Sequence, residues 1–253
     1  MFKIFFIILV AYCNSNMAFL MAQDRQLSIE YDFNFIRQNG KKTIKMLSDQ
    51  HKNLQTIVRS FELQTAPGVV ENKIDKRFFY TNFTKQKISY WEEFVDVYVK
   101  ESLNTMTWEL TGNTKKILNY TCNEARSTWR GRDYIAYFTT ELPFKAAPWK
   151  FHGLPGVMLE IKSADGNLII KAKQLKTGIN LGAIINPFTN QELIGWNEFV
   201  KKYKSKQHKN KELDAKGSVI FGKKTIRIGT RIELITEIDL EYENNYKTME
   251  IKK

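Results

Sequence analysis

Histidine and cysteine side chains are the residues best suited to metal binding or nucleophilic chemistry, and this chain of 253 residues has only three histidines and two cysteines. They are His51, His152, His208, Cys13 and Cys122, and none falls in HxH, HExxH or CxxC spacing, whereas a zinc site needs about four well-placed ligands. Motifs of serine hydrolases, P-loops and dinucleotide-binding folds are missing as well. The sequence therefore predicts no catalytic residue, no metal site and no cofactor, and it favours a hydrogen-bonded, structural His152.

Residues 143–156 are the most unusual stretch of the sequence. They contain three of the five prolines, which argues against a helix or a central strand, yet they also carry large apolar side chains. Such a segment either fills a core or lines a site. The first alternative is a tight corner ahead of a strand that starts at Val157, and the second is a ligand-lining loop. For the second, the candidate binding residues are Trp149, Phe151, His152, Gly153, Leu154, Pro155 and Gly156.

The same residues carry a resemblance to a known family. The run Gly153-Leu154-Pro155-Gly156-Val157-Met158, preceded by Pro148-Trp149-Lys150-Phe151-His152, resembles the signature of the GLPGLI family of exported bacterial proteins, with Val-Met in place of Leu-Ile. The resemblance covers roughly residues 108–175. It implies an exported protein of a Gram-negative bacterium, but it implies no mechanism, because the family is one of unknown function.

Residues 1–22 have the pattern of a signal peptide. Lys3 supplies a positive charge, and residues 4–11 form an unbroken apolar run. Cleavage after Ala22 is favoured over lipoprotein processing at Cys13 and over an uncleaved anchor helix. We therefore expect an exported protein, periplasmic or associated with the outer membrane, with residues 23–253 as a single domain. Cys122 would be its one cysteine, which excludes an internal disulfide.

Positive charge is concentrated in residues 201–224. The chain has a formal net charge of +12, and this segment holds nine lysines against Glu212 and Asp214. Nucleic-acid binding is not favoured, because few aromatic residues are interleaved with the lysines. Two interpretations stay open: a solvated helix end and loop, or contact with anionic lipid head groups. The lysines expected to make the second kind of contact are Lys201, Lys202, Lys204 and Lys206.

Strand patterns dominate the rest of the chain. Residues 226–242 alternate between apolar and polar side chains, which is typical of a strand with one wet face. Residues 157–175 predict a hairpin with Asp165-Gly166 as a two-residue turn, since both positions can take positive φ, and with Glu160 opposite Lys171 and Ile161 opposite Ile170. Residues 121–129 and 133–140 predict a second hairpin around Arg130-Gly131. Further strands are predicted at residues 27–35, 42–47, 54–63, 77–83 and 106–111.

Helical patterns are few. A helix is predicted to begin after a cap at Thr189 or Asn190, since Trp196, Val200 and Tyr203 follow at helical spacing. Residues 90–98 fit a helix or a strand equally well. The prediction is thus a mainly β fold, with a curved antiparallel sheet in the form of a half-barrel or open barrel and with one or two helices.

These observations predict an exported cell-envelope protein that binds an apolar ligand or an outer-membrane partner and is not an enzyme. The alternative is an envelope hydrolase whose site is too diffuse to be read from one sequence. The two hypotheses differ in what a structure should contain. An apolar cleft without paired titratable groups favours binding, whereas clustered carboxylates with shifted pKa values favour catalysis.

Overall fold

The computed structural model describes residues 26–35, 41–66, 69–103 and 105–221. The predicted signal peptide over 1–22 and the predicted strand over 226–242 lie outside these residues. The strands of the described part are β1 Gln26–Phe35, β2 Lys41–Ser48, β3 Lys52–Ala66, β4 Val69–Asn82, β5 Lys87–Glu92, β6 Val97–Ser102, β7 Glu109–Ile117, β8 Tyr120–Trp129, β9 Arg132–Thr139, β10 Val157–Ser163, β11 Leu168–Ile179 and β12 Leu193–Gly195. A single helix in this part, α1, spans Trp196–Phe221.

These strands form one large open sheet in the order β12-β6-β5-β4-β3-β2-β1-β11-β10-β9-β8-β7. Every pairing is antiparallel except that of β12 with β6, which is parallel. The end strands β12 and β7 do not meet, so the sheet is not a closed barrel. The predicted mainly β fold, a curved and largely antiparallel sheet with a helix, is confirmed.

Alternation along β1 defines the two faces of the sheet. Leu27, Ile29, Tyr31 and Phe33 are buried, whereas the residues between them are more exposed. We call the face that carries them the inner face. One row of directly paired residues crosses it through six strands, and its members are Ile29, Met46, Gln55, Phe79, Tyr90 and Val99. The main apolar core lies on this face.

A second, smaller apolar cluster lies on the opposite face. Tyr80 follows Phe79 on β4 and therefore points to the other side of the sheet. Ile184 and Phe188, from the segment between β11 and β12, pack on Tyr80. Gln26 fastens the start of this segment, since its Oε1 accepts a hydrogen bond from the Leu181 amide at 2.8 Å. The segment thus covers part of the outer face before the chain enters β12.

Both predicted hairpins are confirmed. Trp129 pairs with Arg132, so Arg130-Gly131 is the two-residue turn, and both turn residues have positive φ (47° and 72°). In the β10–β11 hairpin, Glu160 pairs with Lys171 as predicted. Its turn differs from the expected one, because only Gly166 has positive φ (73°) within residues 164–167. The Asp165 carboxylate instead accepts hydrogen bonds from its neighbours and fixes a four-residue loop.

Two element predictions need correction. Residues 90–98 are not one element but the end of β5, a turn and the start of β6. The helix predicted to begin after Thr189 or Asn190 begins at Trp196, because residues 193–195 pair in parallel with β6. A short apolar run next to an open strand gains backbone hydrogen bonds there that local helical spacing does not reveal.

The lysine-rich segment is helical as far as residue 221, rather than a helix end followed by a loop. Phe199 and Tyr203 anchor α1 in the core. Lys201, Lys202 and Lys206 are exposed on it, and Lys204 is half-buried. In the part of the chain that the structure describes, no helix combines the length and the apolar character that crossing a membrane requires.

Cys122 is fully buried in β8. Burial raises the pKa of its thiol from an ordinary value of 9.0 to about 11, which lowers the reactive thiolate fraction at pH 8 about a hundredfold. We therefore expect iodoacetamide to alkylate the native protein at least about a hundred times more slowly than the protein in denaturant. Intact-mass spectrometry over time measures both rates, and rapid labelling of the native protein would contradict a buried Cys122.

Candidate functional site

The segment between β9 and β10 lies against the inner face of the sheet. Its residues Ala146, Ala147, Trp149 and Phe151 are all buried and belong to the main core. The irregular, proline-rich segment therefore fills the core, which is one of the two alternatives open from the sequence. We call residues 143–156 the plug segment.

Gln55 of β3 fastens the plug segment to the sheet. Its Nε2 donates to the carbonyl oxygens of Ala147 at 3.1 Å and Trp149 at 2.9 Å, and its Oε1 accepts from the Trp149 amide at 2.5 Å. Gln55 is fully buried in an otherwise apolar row. The Gln55 side-chain amide thus forms hydrogen bonds with three backbone groups of the plug segment that have no neighbouring strand to pair with. One of the two residues concerned, Trp149, has a positive φ of 56°.

Aromatic rings join the plug segment to β8 and β9. Trp149 packs edge-on against Trp129 with ring centroids 6.1 Å apart, and against Phe151 at 5.2 Å. Phe151 in turn meets Tyr134 of β9 at 5.0 Å. Such edge-to-face contacts add to the stabilisation from buried area. Trp149, predicted as a binding residue, is therefore placed in the core.

Four polar side chains form a buried charged cluster beside these rings. Glu101 of β6 accepts hydrogen bonds from Arg130 and Tyr90, and the Lys150 ammonium lies 3.6 Å from its carboxylate. Burial opposes ionisation of Glu101, but the Lys150 and Arg130 charges outweigh that effect and hold its pKa below the ordinary value. The Arg130 guanidinium also lies over the Trp196 ring, at 3.4 Å from its centroid. The cluster connects the plug segment, the β8–β9 turn and α1.

His152 is hydrogen-bonded, as the sequence predicts. Its Nδ1 lies 2.8 Å from the Lys150 carbonyl oxygen, so Nδ1–H donates and Nε2 is left to accept from Thr105 at 3.3–3.4 Å. Its own carbonyl accepts from Trp108 Nε1 at 2.7 Å. Burial lowers the pKa of His152 and favours the neutral ring. Among the described residues, no group of three or more histidine, cysteine, aspartate or glutamate side chains could hold a metal ion.

The GLPG sequence forms the corner that leads into β10, as expected. Gly153 and Gly156 have positive φ values of 98° and 149°. The Gly156 amide donates to the Leu154 carbonyl at 3.0 Å, and the Gly156 carbonyl accepts from the Ala146 amide at 3.2 Å. Regular pairing starts at Val157, directly after this corner. A Cβ on Gly156 would overlap the Thr139 carbonyl, so the backbone passes there too closely for any side chain.

Two adjoining cavities open beside this corner. The inner chamber has a volume of about 270 Å³, and six of the seven predicted binding residues line it, namely Phe151, His152, Gly153, Leu154, Pro155 and Gly156. The outer chamber has about 510 Å³ and is lined by Leu142, Pro143 and Phe144 among others. Both chambers share the residues Phe83, Gln86, Lys145, Pro155 and Gly156. No aspartate or glutamate is among the lining residues of either chamber.

Sequence reasoning missed the opposite wall of the inner chamber. Asn53 and Thr81, which pair across β3 and β4, line it together with Leu103. A weak signal was available: Asn53 and Gln55 lie in phase with the apolar Ile57, so they fall on the buried face of their strand. Buried amides on an inner face must bond to something, and here their partner is a segment about ninety residues away.

The fold and the site together define the class of protein. It is an open β-sheet domain in which the plug segment of the same chain packs on the inner face of the sheet, with a cavity beside that segment. Residues 36–195 match the family described as "N-glycanase peptide, N-terminal domain". The match covers more than half of the chain, so the chain belongs to this family. A search of curated proteins gave no match.

Solved structures are similar to the chain as well. PNGF-II in its C2 crystal form gives a TM-score of 0.50 and 16% identity over 72% of this chain and 33% of PNGF-II. In the P21 form the TM-score is 0.52 and the identity 17%, over 72% and 34% of the two chains. The chain thus spans about one third of PNGF-II. The Pseudomonas aeruginosa MucA/MucB complex gives a TM-score of 0.33 and 9% identity, over 64% of this chain and 55% of that one.

The likeness to PNGF-II establishes the fold alone. None of these similarities bears on the GLPGLI resemblance, which stays a prediction.

Proposed function

We propose that this protein is a non-enzymatic binding domain of the cell envelope, and that its chambers hold an apolar ligand. The observation that carries the proposal is the pair of adjoining cavities, whose combined size suits a small ligand. Apolar side chains predominate in the lining of the inner chamber, whereas six of the twelve residues that line the outer chamber are polar. Export to the periplasm or the outer membrane is part of the same proposal, as is the GLPGLI assignment.

The titratable groups support binding over hydrolysis. A general acid needs a raised carboxyl pKa, whereas the pKa shifts of Glu101, Glu124 and Asp165 all point downward. A hydrogen bond from the Tyr137 hydroxyl is the main cause of the lowered pKa of Glu124. At Asp165, burial raises the pKa, but hydrogen bonds and the Arg132 charge outweigh burial and lower it. None of the three carboxylates lines a chamber. They are held ionised by structural partners, which is unfavourable for acid catalysis.

Binding of an uncharged fluorescent probe, N-phenyl-1-naphthylamine, tests the proposal. We expect saturable binding to the protein, with an affinity about tenfold weaker in Phe83→Ala, because Phe83 forms part of both chamber walls. Phe78→Ala is the matched control, since Phe78 lies on the outer face of the adjacent β4 and lines neither chamber. Absence of saturable binding, or equal effects of both variants, would contradict an apolar site here.

The rival function is that of a hydrolase, and the family description supplies its substrate class, because it names an N-glycanase. An N-glycosylated peptide incubated with the protein and followed by mass spectrometry separates the two. We expect the glycan to stay attached. If the protein releases the glycan, and a substitution in the chain abolishes that release, the binding proposal is contradicted and the protein is a hydrolase.

The further alternative is that the protein binds an outer-membrane protein in place of an apolar ligand. Binding of such a protein that the naphthylamine probe cannot displace would favour this alternative.

We also propose that α1 contacts anionic lipid head groups through its lysines. Vesicles containing phosphatidylglycerol should bind the protein at low salt and release it as salt rises to physiological strength, because the Debye length shortens. Flotation measures the bound fraction. The test variant replaces with glutamine the four residues Lys201, Lys202, Lys204 and Lys206. The control removes the same charge from strands at Lys116, Lys171, Lys173 and Lys176. Equal vesicle binding by the two variants would contradict the proposal and would mean that the lysines of α1 are only solvated.

A further inference from the structure

We infer that the ligand of the two chambers is an anionic amphiphile, with its apolar tail in the inner chamber and its negatively charged head group beside Lys145 in the outer chamber. This inference rests on the proposed function and specifies the ligand chemistry of the same site. It concerns a residue that the sequence patterns did not select.

The two chambers differ in the chemistry of their walls. The inner chamber is lined by buried apolar side chains that include Leu103, Phe151, Leu154 and Met158. Half of the residues that line the outer chamber are polar, and all six of these are exposed, namely Gln50, His51, Thr84, Gln86, Thr140 and Lys145. An apolar tail gains free energy by leaving water, whereas a charged head loses free energy unless it stays hydrated or paired. The arrangement therefore suits a molecule whose tail enters first and whose head stays near the solvent.

Lys145 places a positive charge where the two chambers meet. It lines both of them, and it is exposed, so that its ammonium keeps contact with water. The neighbouring Ala146 is buried, and its amide and carbonyl bond to Gly156 and Met158 at 3.2 and 2.8 Å, which fixes the backbone next to Lys145. The position of Lys145 at the boundary is thus set by the plug segment itself.

The lining of the chambers selects the sign of the head group. Lys145 is the one lysine or arginine among the lining residues of either chamber, and no aspartate or glutamate accompanies it there. The carboxylate nearest to it in the sequence, Glu141, accepts a hydrogen bond from the Thr121 amide at 2.7 Å and lines neither chamber. A carboxylate, sulfate or phosphate head is attracted to Lys145 without being removed from water, whereas an ammonium head is repelled.

Three probes with the same octyl tail separate the possible head groups. Octyl sulfate is anionic, octyltrimethylammonium is cationic and octan-1-ol is uncharged. Each is used, below the concentration at which it forms micelles, to displace N-phenyl-1-naphthylamine from the full chain. At low salt we expect the sulfate to bind about tenfold more tightly than the trimethylammonium compound, with the alcohol between them, because an exposed ion pair and the matching repulsion each change affinity severalfold. The ratio should shrink as salt rises to physiological strength.

The variants Lys145→Gln and Lys145→Glu remove and reverse the charge. The ratio of sulfate to trimethylammonium affinity should fall from about ten to about one in the first and below one in the second, while octan-1-ol still binds. Because the chain has a formal net charge of +12 and attracts any anion, Lys176→Glu is the matched control. Lys176 is exposed on β11 and lines neither chamber, so the ratio should stay near ten. A ratio of affinities is insensitive to partial loss of folded protein.

Two further competitors test the role of the tail. Hexyl sulfate should bind at least about tenfold more weakly than octyl sulfate, because two methylene groups fewer enter the inner chamber. Inorganic sulfate should not displace the naphthylamine probe at the concentrations that suffice for octyl sulfate. Displacement by inorganic sulfate as effective as that by octyl sulfate would mean that the site binds a free anion, and it would overturn the inference.

Failure of the inference and failure of the proposed function are distinguishable. If octyl sulfate and octyltrimethylammonium bind the unmodified protein equally, or if Lys145→Glu keeps the preference for the sulfate, the head group is not held by Lys145 and the inference is overturned, while the apolar site stands. If neither the naphthylamine probe nor any of the octyl compounds binds, the proposed function itself fails.

Discussion

Gly156→Val should lower the stability of the protein more than any single substitution in the lysine-rich segment. A valine Cβ at this position would overlap the Thr139 carbonyl and lie 3.0 Å from its carbon. A φ of 149° adds backbone strain of about 1–3 kcal/mol. Both costs are backbone terms that repacking of side chains cannot remove. We expect a loss of more than about 3 kcal/mol, or roughly 6–12 °C in melting temperature.

Thermal denaturation beside Lys204→Ala measures this effect, and that variant should melt close to the unmodified protein. Gly178→Ala separates strain from overlap, because Gly178 has a φ of 70° but a Cβ added there would lie in open space. We expect it to cost only about 1 kcal/mol. Equal melting temperatures for Gly156→Val and Lys204→Ala would mean that the corner is not structural. A folded Gly156→Val protein that no longer binds the naphthylamine probe would favour a direct role of the corner in binding.

Glu101→Gln should be the second large effect, with a loss of about 3 kcal/mol. The substitution preserves shape but leaves the charges of Lys150 and Arg130 without their buried carboxylate, and both cations are largely shielded from water. Chemical denaturation at pH 7 measures the difference from the unmodified protein. Glu192→Gln is the matched control, because Glu192 is exposed. A loss below about 0.5 kcal/mol would show that the cluster contributes little.

The pH dependence gives an independent check on Glu101. Burial disfavours its charged form, but Lys150 and Arg130 outweigh burial, so the folded-state pKa lies below the ordinary 4.5. A depressed carboxyl pKa contributes stability that is fully present above the unfolded value and is lost as pH falls through the folded value. The gap in unfolding free energy between the unmodified protein and Glu101→Gln should therefore stay constant above about pH 6 and shrink below pH 4.5. A gap independent of pH down to about pH 3 would contradict this origin.

Local chemistry determined much of the fold. Positive φ at Arg130 and Gly131, and the pairing of Glu160 with Lys171, follow from turn residues and side-chain alternation within a few positions. The corner at Gly156 follows in the same way, since Pro155 cannot donate to a ladder and regular pairing begins after it. The hydrogen-bonded state of His152 was also predictable, because no second metal ligand stands at a suitable spacing.

Contacts between distant residues decided the rest. Nothing in the local sequence indicates that β1 pairs with β11, or that Gln55 bonds to Trp149 across 94 positions. Which strands become neighbours depends on the free energy of the whole sheet, and only that order brings Asn53 opposite the plug segment. The sequence by itself thus determined most of the strands, the Arg130-Gly131 turn and the corner at Gly156. The tertiary structure decided that Trp149 fills the core and that a cavity is left beside the plug segment, because burial and polar pairing are properties of the assembled sheet.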